Sequence, residues 1–324
     1  MPAPGASVTA TIAVNDDHAV TDQNVADAWG PSDSSPWLEV DWSAHQRWVQ
    51  VGEQAVNVIE LGDGSERTGQ PIVFVHGLSG SWPNWLEQLP VFARHHRVIA
   101  MDLPGFGHSP MPREKITISF YARVLDRLLD ELGIDAATVV GNSMGGFVSS
   151  ELAIAYPQRV ERLVLVSPAG LSSYRDLRGT RALGALRLLR PALALSLGRL
   201  AASADTVARY RRLRVLTLHD LVRHPSRVPA PMAAEMLRGA GKPGFIDALE
   251  ANVTYDTRAR LPEIACPTLI VWGERDRIIT VRDAAVYAEL IPNSRKVVYP
   301  DTGHLAMIER PGEFNALLSE FLSE

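Results

Sequence analysis

Cysteine is almost missing from this chain of 324 residues. Cys266 stands alone, which excludes an internal disulfide, and its place just before Pro267 and an apolar run fits a packed thiol better than a reactive one. Long apolar stretches are missing as well: none reaches the roughly eighteen apolar residues without a charge that a membrane-spanning helix needs. The opening Met1-Pro2-Ala3-Pro4-Gly5 has neither a basic segment nor a continuous apolar core, so no secretory leader is expected and the expected location is cytoplasmic. No tandem repeat is visible. Nothing matches H-E-x-x-H, paired C-x-x-C, G-x-x-x-x-G-K or a G-x-G-x-x-G after a strand, so no metal and no cofactor are implied.

What remains is a chain that is 46% hydrophobic and 21% charged, enough to bury one large core. Residues 1–36 are rich in Ala, Ser, Thr, Asp and Pro without lasting periodicity and read as a mobile tail, with a short helix near Gln23 to Trp29. Arg47 to Val51 and Ala55 to Ile59 alternate as an antiparallel hairpin at a sheet edge, followed by a polar loop around Gly62-Asp63-Gly64. Apolar strand runs then alternate with helical patterns, such as Ile118 to Leu132 closed by Gly133, which predicts a mostly parallel α/β sheet covered on both faces. The core comprises residues 37–170 and 261–324. Between them, residues 171–260 show Leu, Ala and Arg at helical spacing, broken by prolines, and read as a helical insertion.

Gly141-Asn142-Ser143-Met144-Gly145-Gly146 is a G-x-S-x-G run placed between the apolar run Ala137 to Val140 and the helical pattern Phe147 to Tyr156. A serine on so sharp a strand-to-helix turn is forced into a sparsely allowed backbone conformation and pushed toward a cleft. A serine hydroxyl needs a general base, and a neutral imidazole needs a carboxylate to fix its tautomer. Asp276 follows the apolar run Thr268 to Gly273, and His304 follows Val297 to Tyr299, giving the order Ser143, Asp276, His304. Glu274 and Asp301 compete for the acidic role; Asp276 is preferred because it lies beyond the strand end. All three groups follow the C-terminal ends of strands, the edge where open α/β sheets form crevices.

Pro71 to Val75 ends in the glycine-bearing loop His76-Gly77-Leu78-Ser79-Gly80. The backbone N–H groups of Leu78 and Met144 are the expected oxyanion donors, and His76 is expected to support that loop by hydrogen bonding. Trp82, Trp85 and Phe147 are placed either to line a substrate pocket or to pack the core.

These residues resemble the α/β-hydrolase superfamily through His76-Gly77, Asp102 to Ser109, the Ser143 turn, Gly273 to Asp276 and Gly303-His304, over roughly residues 45–322. The resemblance implies that the insertion folds as a cap over the active site. The Asp102-Leu103-Pro104-Gly105-Phe106-Gly107 run is similar to haloalkane dehalogenases and epoxide hydrolases, but those carry an aspartate at the turn where Ser143 stands, which argues against both activities. His76-Gly77-Leu78-Ser79-Gly80-Ser81 with Asn84-Trp85 is loosely similar to carbon–carbon bond hydrolases of vinylogous diketones, which usually carry a tryptophan where Leu305 stands.

Residues 171–245 hold thirteen Arg and one Lys against three Asp and one Glu, a surplus of ten positive charges in a chain of net charge −5. They either draw an anionic substrate or lipid surface, or occupy solvated helix faces. The expected activity is that of a carboxylesterase-like serine hydrolase acting through an acyl-enzyme on a small-molecule ester with an apolar acyl group, with no nucleic acid partner. Lactonase or perhydrolase chemistry, and a ligand-binding module on the same fold, are the alternatives.

Overall fold

Strand β1 (Gln46–Val51) turns back at Gly52-Glu53 into β2 (Gln54–Leu61), and the two pair antiparallel with Gln46 opposite Ile59 and Val51 opposite Gln54. The computed structural model in which this hairpin is seen describes residues 35–62, 69–172 and 188–324. Six further strands are β3 (Gly69–Val75), β4 (His96–Met101), β5 (Ala137–Asn142), β6 (Val160–Val166), β7 (Thr268–Gly273) and β8 (Ser294–Tyr299). The sheet runs β1-β2-β4-β3-β5-β6-β7-β8, and every pairing from β4 to β8 is parallel, while β2 runs antiparallel to both neighbours. The expected hairpin and the expected mostly parallel sheet are thus both present.

The apolar runs are continuous because both faces are covered. Along β3, Val73 and Val75 enter one buried cluster while Ile72 and Phe74 enter the other. The first cluster lies under α1 (Ile118–Glu131), whose first turn is capped by Thr117 accepting from the amide of Phe120 at 2.9 Å, and under α2 (Met144–Ala155), which is buried at every position but its last.

Between β6 and β7 the described residues form α3 (Arg190–Ala202), α4 (Ala204–Arg209), α5 (Arg211–Leu218), α6 (Ala230–Arg238) and α7 (Phe245–Thr254). They rest on the loops that leave the C-terminal ends of the strands. Helix α6 packs on the turn Trp82–Trp85 after β3, Gly244 donates its amide to Gly105 O at 3.0 Å after β4, and Leu221 O accepts from the amide of His304 at 3.0 Å after β8. Of the arginines here, Arg223 pairs with Asp301 and Arg238 with Asp205 and Glu235, while Arg199, Arg209, Arg211 and Arg212 are exposed, as on solvated helix faces. After β7, α8 (Arg282–Leu290) completes the first cluster with Ala284 and Tyr287; α9 (Ala306–Glu309) and α10 (Pro311–Ser323) follow β8, and α10 fills the second with Phe314, Leu318 and Phe321. Among the described residues no helix is long and apolar enough to cross a membrane.

The expected tail lies outside the described residues up to position 34, as do the short helix near Gln23 to Trp29, most of the polar loop after Gly62, and part of the insertion. Packing begins two residues before the expected core boundary: Ser35 is buried, and its hydroxyl and the indole of Trp37 both donate to Glu87, at 2.9 and 2.7 Å.

Chain crossings beneath the C-terminal edge leave no room for side chains. A Cβ at Gly145 would stand 2.2 Å from Val75 O and 2.6 Å from His76 O, both backbone atoms that cannot swing away. Gly145→Ala should therefore cost about 3 kcal/mol, the upper end for overpacking. Gly312→Ala, in the first turn of α10 where an added Cβ meets nothing within 4 Å, should be neutral or gain up to about 1 kcal/mol. Equal urea midpoints for the two variants would contradict this account.

Candidate active site

Strand β5 ends at Asn142 and α2 begins at Met144, so Ser143 must reverse the chain by itself. It does so at φ 55°, ψ −120°, a conformation that costs a non-glycine residue about 1–3 kcal/mol. The surroundings fix it from both sides. The amide of Ser143 donates to Val166 O at 2.9 Å, and its carbonyl accepts from Phe147 at 3.1 Å and Ala169 at 3.0 Å. Asn142 Nδ2 reaches the same Val166 O at 3.0 Å, tying the turn to the end of β6. Met144 opens the helix, so its N–H has no intrahelical partner and lies at the positive end of the helix dipole.

Asp276 and His304 lie on the loops after β7 and β8. Asp276 Oδ1 accepts from the amides of Ile278 and Ile279 at 2.8 and 2.9 Å, which aims Oδ2 at His304 Nδ1, 2.7 Å away. The Asp276 side chain is fully buried and that of His304 almost so. Because an ionised carboxylate can only accept, the proton of this bond sits on Nδ1, and in the neutral imidazole Nε2 is then the nitrogen with the lone pair. The competing acids are engaged elsewhere: Glu274 Oε2 meets Arg275 and the amide of Asp301, and Asp301 holds Arg223 Nε at 2.8 Å and His224 Nε2 at 2.7 Å.

The loop after β3 comes against the serine turn: a Cβ at Gly77 would lie 2.9 Å from Ser143 Cβ. His76 is buried and neutral by its bonds, since Nδ1 donates to Gly77 O at 2.7 Å and Nε2 accepts from the amide of Leu103 at 3.0 Å. Burial pushes its imidazole below the ordinary value, against an upward pull from Asp102. His76 thus joins the loop bearing Leu78 to the loop after β4, the supporting role expected of it. Leu78 is half-buried against the first core cluster.

Trp82 and Phe147, both placed near the site by sequence, go to different surroundings. The Trp82 ring leans on Trp42 with centroids 5.0 Å apart. Phe147 is fully buried, packed against Gly170 and 5.8 Å from the ring of Tyr255 at the end of α7. Trp85 is a core residue against Phe74, 5.0 Å between centroids.

Sequence reasoning used Asp102 only as part of a motif and missed what it does. Fully buried, it accepts from Asn57 Nδ2, the amide of Trp82 and the amide of His108, each at 2.8 Å. One carboxylate thereby gathers β2, the loop after β3 and the loop after β4. The available signal was an acid directly after an apolar strand and before a Pro-Gly turn.

A family model described as alpha/beta hydrolase fold matches residues 70–311. The dihydrolipoyllysine-residue acetyltransferase component of the acetoin cleaving system from Cupriavidus necator is 34% identical over 310 residues, covering 94% of this chain and 75% of that protein. The 2-hydroxy-6-oxo-2,4-heptadienoate hydrolase of Pseudomonas putida is 32% identical over 283 residues, covering 86% of this chain and 96% of that one. The crystal structure of the enol-lactonase from Burkholderia xenovorans LB400 matches with a TM-score of 0.68 at 25% identity, covering 86% of this chain and all of that one.

Asp102→Ala would leave one buried and two part-buried donors without this acceptor, and should destabilise the protein by about 3 kcal/mol. Asp102→Asn, which keeps one acceptor oxygen, should lose less. Wild-type stability of Asp102→Ala in chemical denaturation would remove this carboxylate from its role as the tie between loops.

Proposed function

The chain belongs to the alpha/beta hydrolase fold family, and from that premise we propose that it is a serine hydrolase that cleaves carboxylic esters of small molecules through an acyl-enzyme. The observation that carries this reading is a serine held at φ 55° at a helix N-terminus, on the same sheet edge as a histidine whose Nδ1–H is bound 2.7 Å from a buried aspartate.

Ser143 Oγ attacks the carbonyl carbon while His304 Nε2 takes its proton. Asp276 holds the Nδ1–H and stabilises the imidazolium as it forms. The N–H groups of Leu78 and Met144 receive the oxyanion, where fixed dipoles in a water-poor site lower the barrier most. His304 returns the proton to the leaving alcohol, then draws one from the water that attacks the acyl-enzyme, releasing the acid and restoring Ser143. Helices α3–α7 act as a cap over this edge, with Phe147 and Trp82 contributing to the walls behind the acyl group. Their contacts with the loops after β3, β4 and β8 support that role.

A lactone is a cyclic ester, so the likeness to an enol-lactonase fits the same chemistry. A second reading, cleavage of a carbon–carbon bond in a vinylogous diketone, is favoured by the relative named for 2-hydroxy-6-oxo-2,4-heptadienoate.

Initial rates on p-nitrophenyl esters of increasing acyl length, on an enol lactone and on a 2-hydroxy-6-oxo dienoate separate the readings. Ester or lactone turnover that vanishes in Ser143→Ala, and falls by about two to four orders of magnitude in Asp276→Asn, is the expected result. Dienoate cleavage without ester cleavage would replace the ester reading by the carbon–carbon one. Folded protein that turns over none of them would make the chain a ligand-binding module.

A further inference from the structure

Glu309 is a buried carboxyl that the proposed reaction does not use. It ends α9, wholly screened from solvent. Its Oε1 accepts from the amide of Gly303 at 2.9 Å, and its Oε2 from the amide of Arg223 at 2.8 Å. Gly303 immediately precedes His304, whereas Arg223 lies between α5 and α6, in the insertion. The same stretch of the insertion grips the His304 loop three more times: Leu221 O accepts from the amide of His304 at 3.0 Å, and Arg223 Nε and His224 Nε2 meet the two oxygens of Asp301 at 2.8 and 2.7 Å.

Burying a carboxyl is costly, and a fold retains one where its chemistry is needed. Bridging two N–H donors from separate segments needs an acceptor at each end of one short side chain. A carboxyl group has an oxygen at each end, the hydroxyl oxygen of the neutral acid accepting weakly and both oxygens of the carboxylate strongly, whereas one end of an amide is an NH2 that only donates.

We propose that Glu309 is a positioning residue for His304: it fastens the loop carrying the imidazole to the 221–224 segment of the insertion, so that the base keeps its reach toward Ser143 only while the insertion is docked. The inference rests on the reading of His304 as the base.

Burial, with a smaller contribution from the Asp276 carboxylate, pushes Glu309 up to about 8, against the downward pull of its amide donors. Around it, the charge of Asp276 acts from the β7 loop. The side chains of Arg223 and His224 turn to Asp301, and Arg310 turns to Pro300 O, Thr302 and Glu313. On the alkaline side of neutrality Glu309 ionises, becomes a stronger acceptor and adds a charge beside the Asp276–His304 pair. Since its folded value is raised, its contribution to stability is full in acid, below the ordinary carboxyl range, and is lost as pH climbs toward about 8.

The test compares Glu309→Gln, Glu309→Ala and Glu309→Asp in the full chain. Ester kinetics are expressed per Ser143 labelled by a fluorophosphonate, and hydrogen exchange is followed at the amides of Gly303, Arg223 and His304. In Glu309→Gln the three amides should exchange faster together, by about tenfold or more. Per labelled site, kcat should fall about ten- to a hundredfold with KM within about twofold, as expected for a displaced base. The wild-type inflection in kcat/KM near pH 8 should disappear, and Glu309→Asp should recover part of the loss. Per-site kcat and a pH profile equal to wild type, with only the melting temperature lowered, would overturn the proposal. If wild type turns over no ester, the ester reading fails alone and exchange decides: joint release of the three amides supports the tie, and unchanged exchange overturns it. Should Glu309→Gln fail to fold, Glu309→Asp gives the same readings.

Discussion

The left-handed turn at Ser143 is the constraint on which the rest of the edge is built. A backbone at φ 55° in a non-glycine residue is uphill, and it persists because β5 is locked beside β6 and because Val166, Phe147 and Ala169 hold both polar groups of the peptide. The register that places Asn142 opposite Val166 also places the end of β5 where the loop after β3 must pass. Closeness follows at each crossing, so glycine stands at 77 and 145. The strain is thus supplied by a large parallel core whose two clusters leave the strand ends no freedom to relax.

Around that turn the loops are joined by buried carboxyls that act as backbone acceptors. Asp102 collects β2 and the loops after β3 and β4, Asp276 orders its own loop before meeting His304, and Glu309 bridges the β8 loop to the insertion. Each replaces bonds that a loop amide would otherwise make to water, and in a low-dielectric setting such bonds are stiff. Loops are mobile by default; these are held at several points by groups that solvent does not reach. Pre-organisation of the proposed oxyanion donors and base is a consequence of those ties rather than of the sheet alone.

Much of this was legible in the sequence wherever the cause is local. The serine turn, the strand runs and the hairpin depend on residues within a few positions of one another, and they fall where periodicity and glycine placed them. The pairing of Asp276 with His304 was legible in another way, because chain order and the position after a strand end restrict which acid can arrive. Asp102 and Glu309 were not, since their partners include backbone amides, which carry no sequence signature: Arg223 is 86 residues from Glu309, and the side-chain donor Asn57 is 45 from Asp102. The surroundings of the aromatic residues were not legible either, for a related reason. Trp82 and Phe147 have the right neighbours in sequence for a pocket, but ring direction is decided by what packs from afar, Trp42 in one case and Tyr255 in the other.

Serine, imidazole, carboxylate and two amides form a general device for opening an activated carbonyl, which is why ester, lactone and carbon–carbon chemistry share the fold. The outcomes differ in what departs. An alcohol leaves once the imidazolium protonates it, whereas a carbon fragment leaves only when its electrons are delocalised into a conjugated acceptor that the site holds in the keto form. Proton transfer from the proposed base His304 serves the first case directly, and the next residue, Leu305, is buried and apolar and adds no polar group that would hold a charged fragment. On the proposed reading, choice among acyl compounds falls to the side chains of α3–α7. Because the same insertion grips the His304 loop at Leu221, Arg223 and His224, that reading places substrate selection and the positioning of the proposed base on one docking contact.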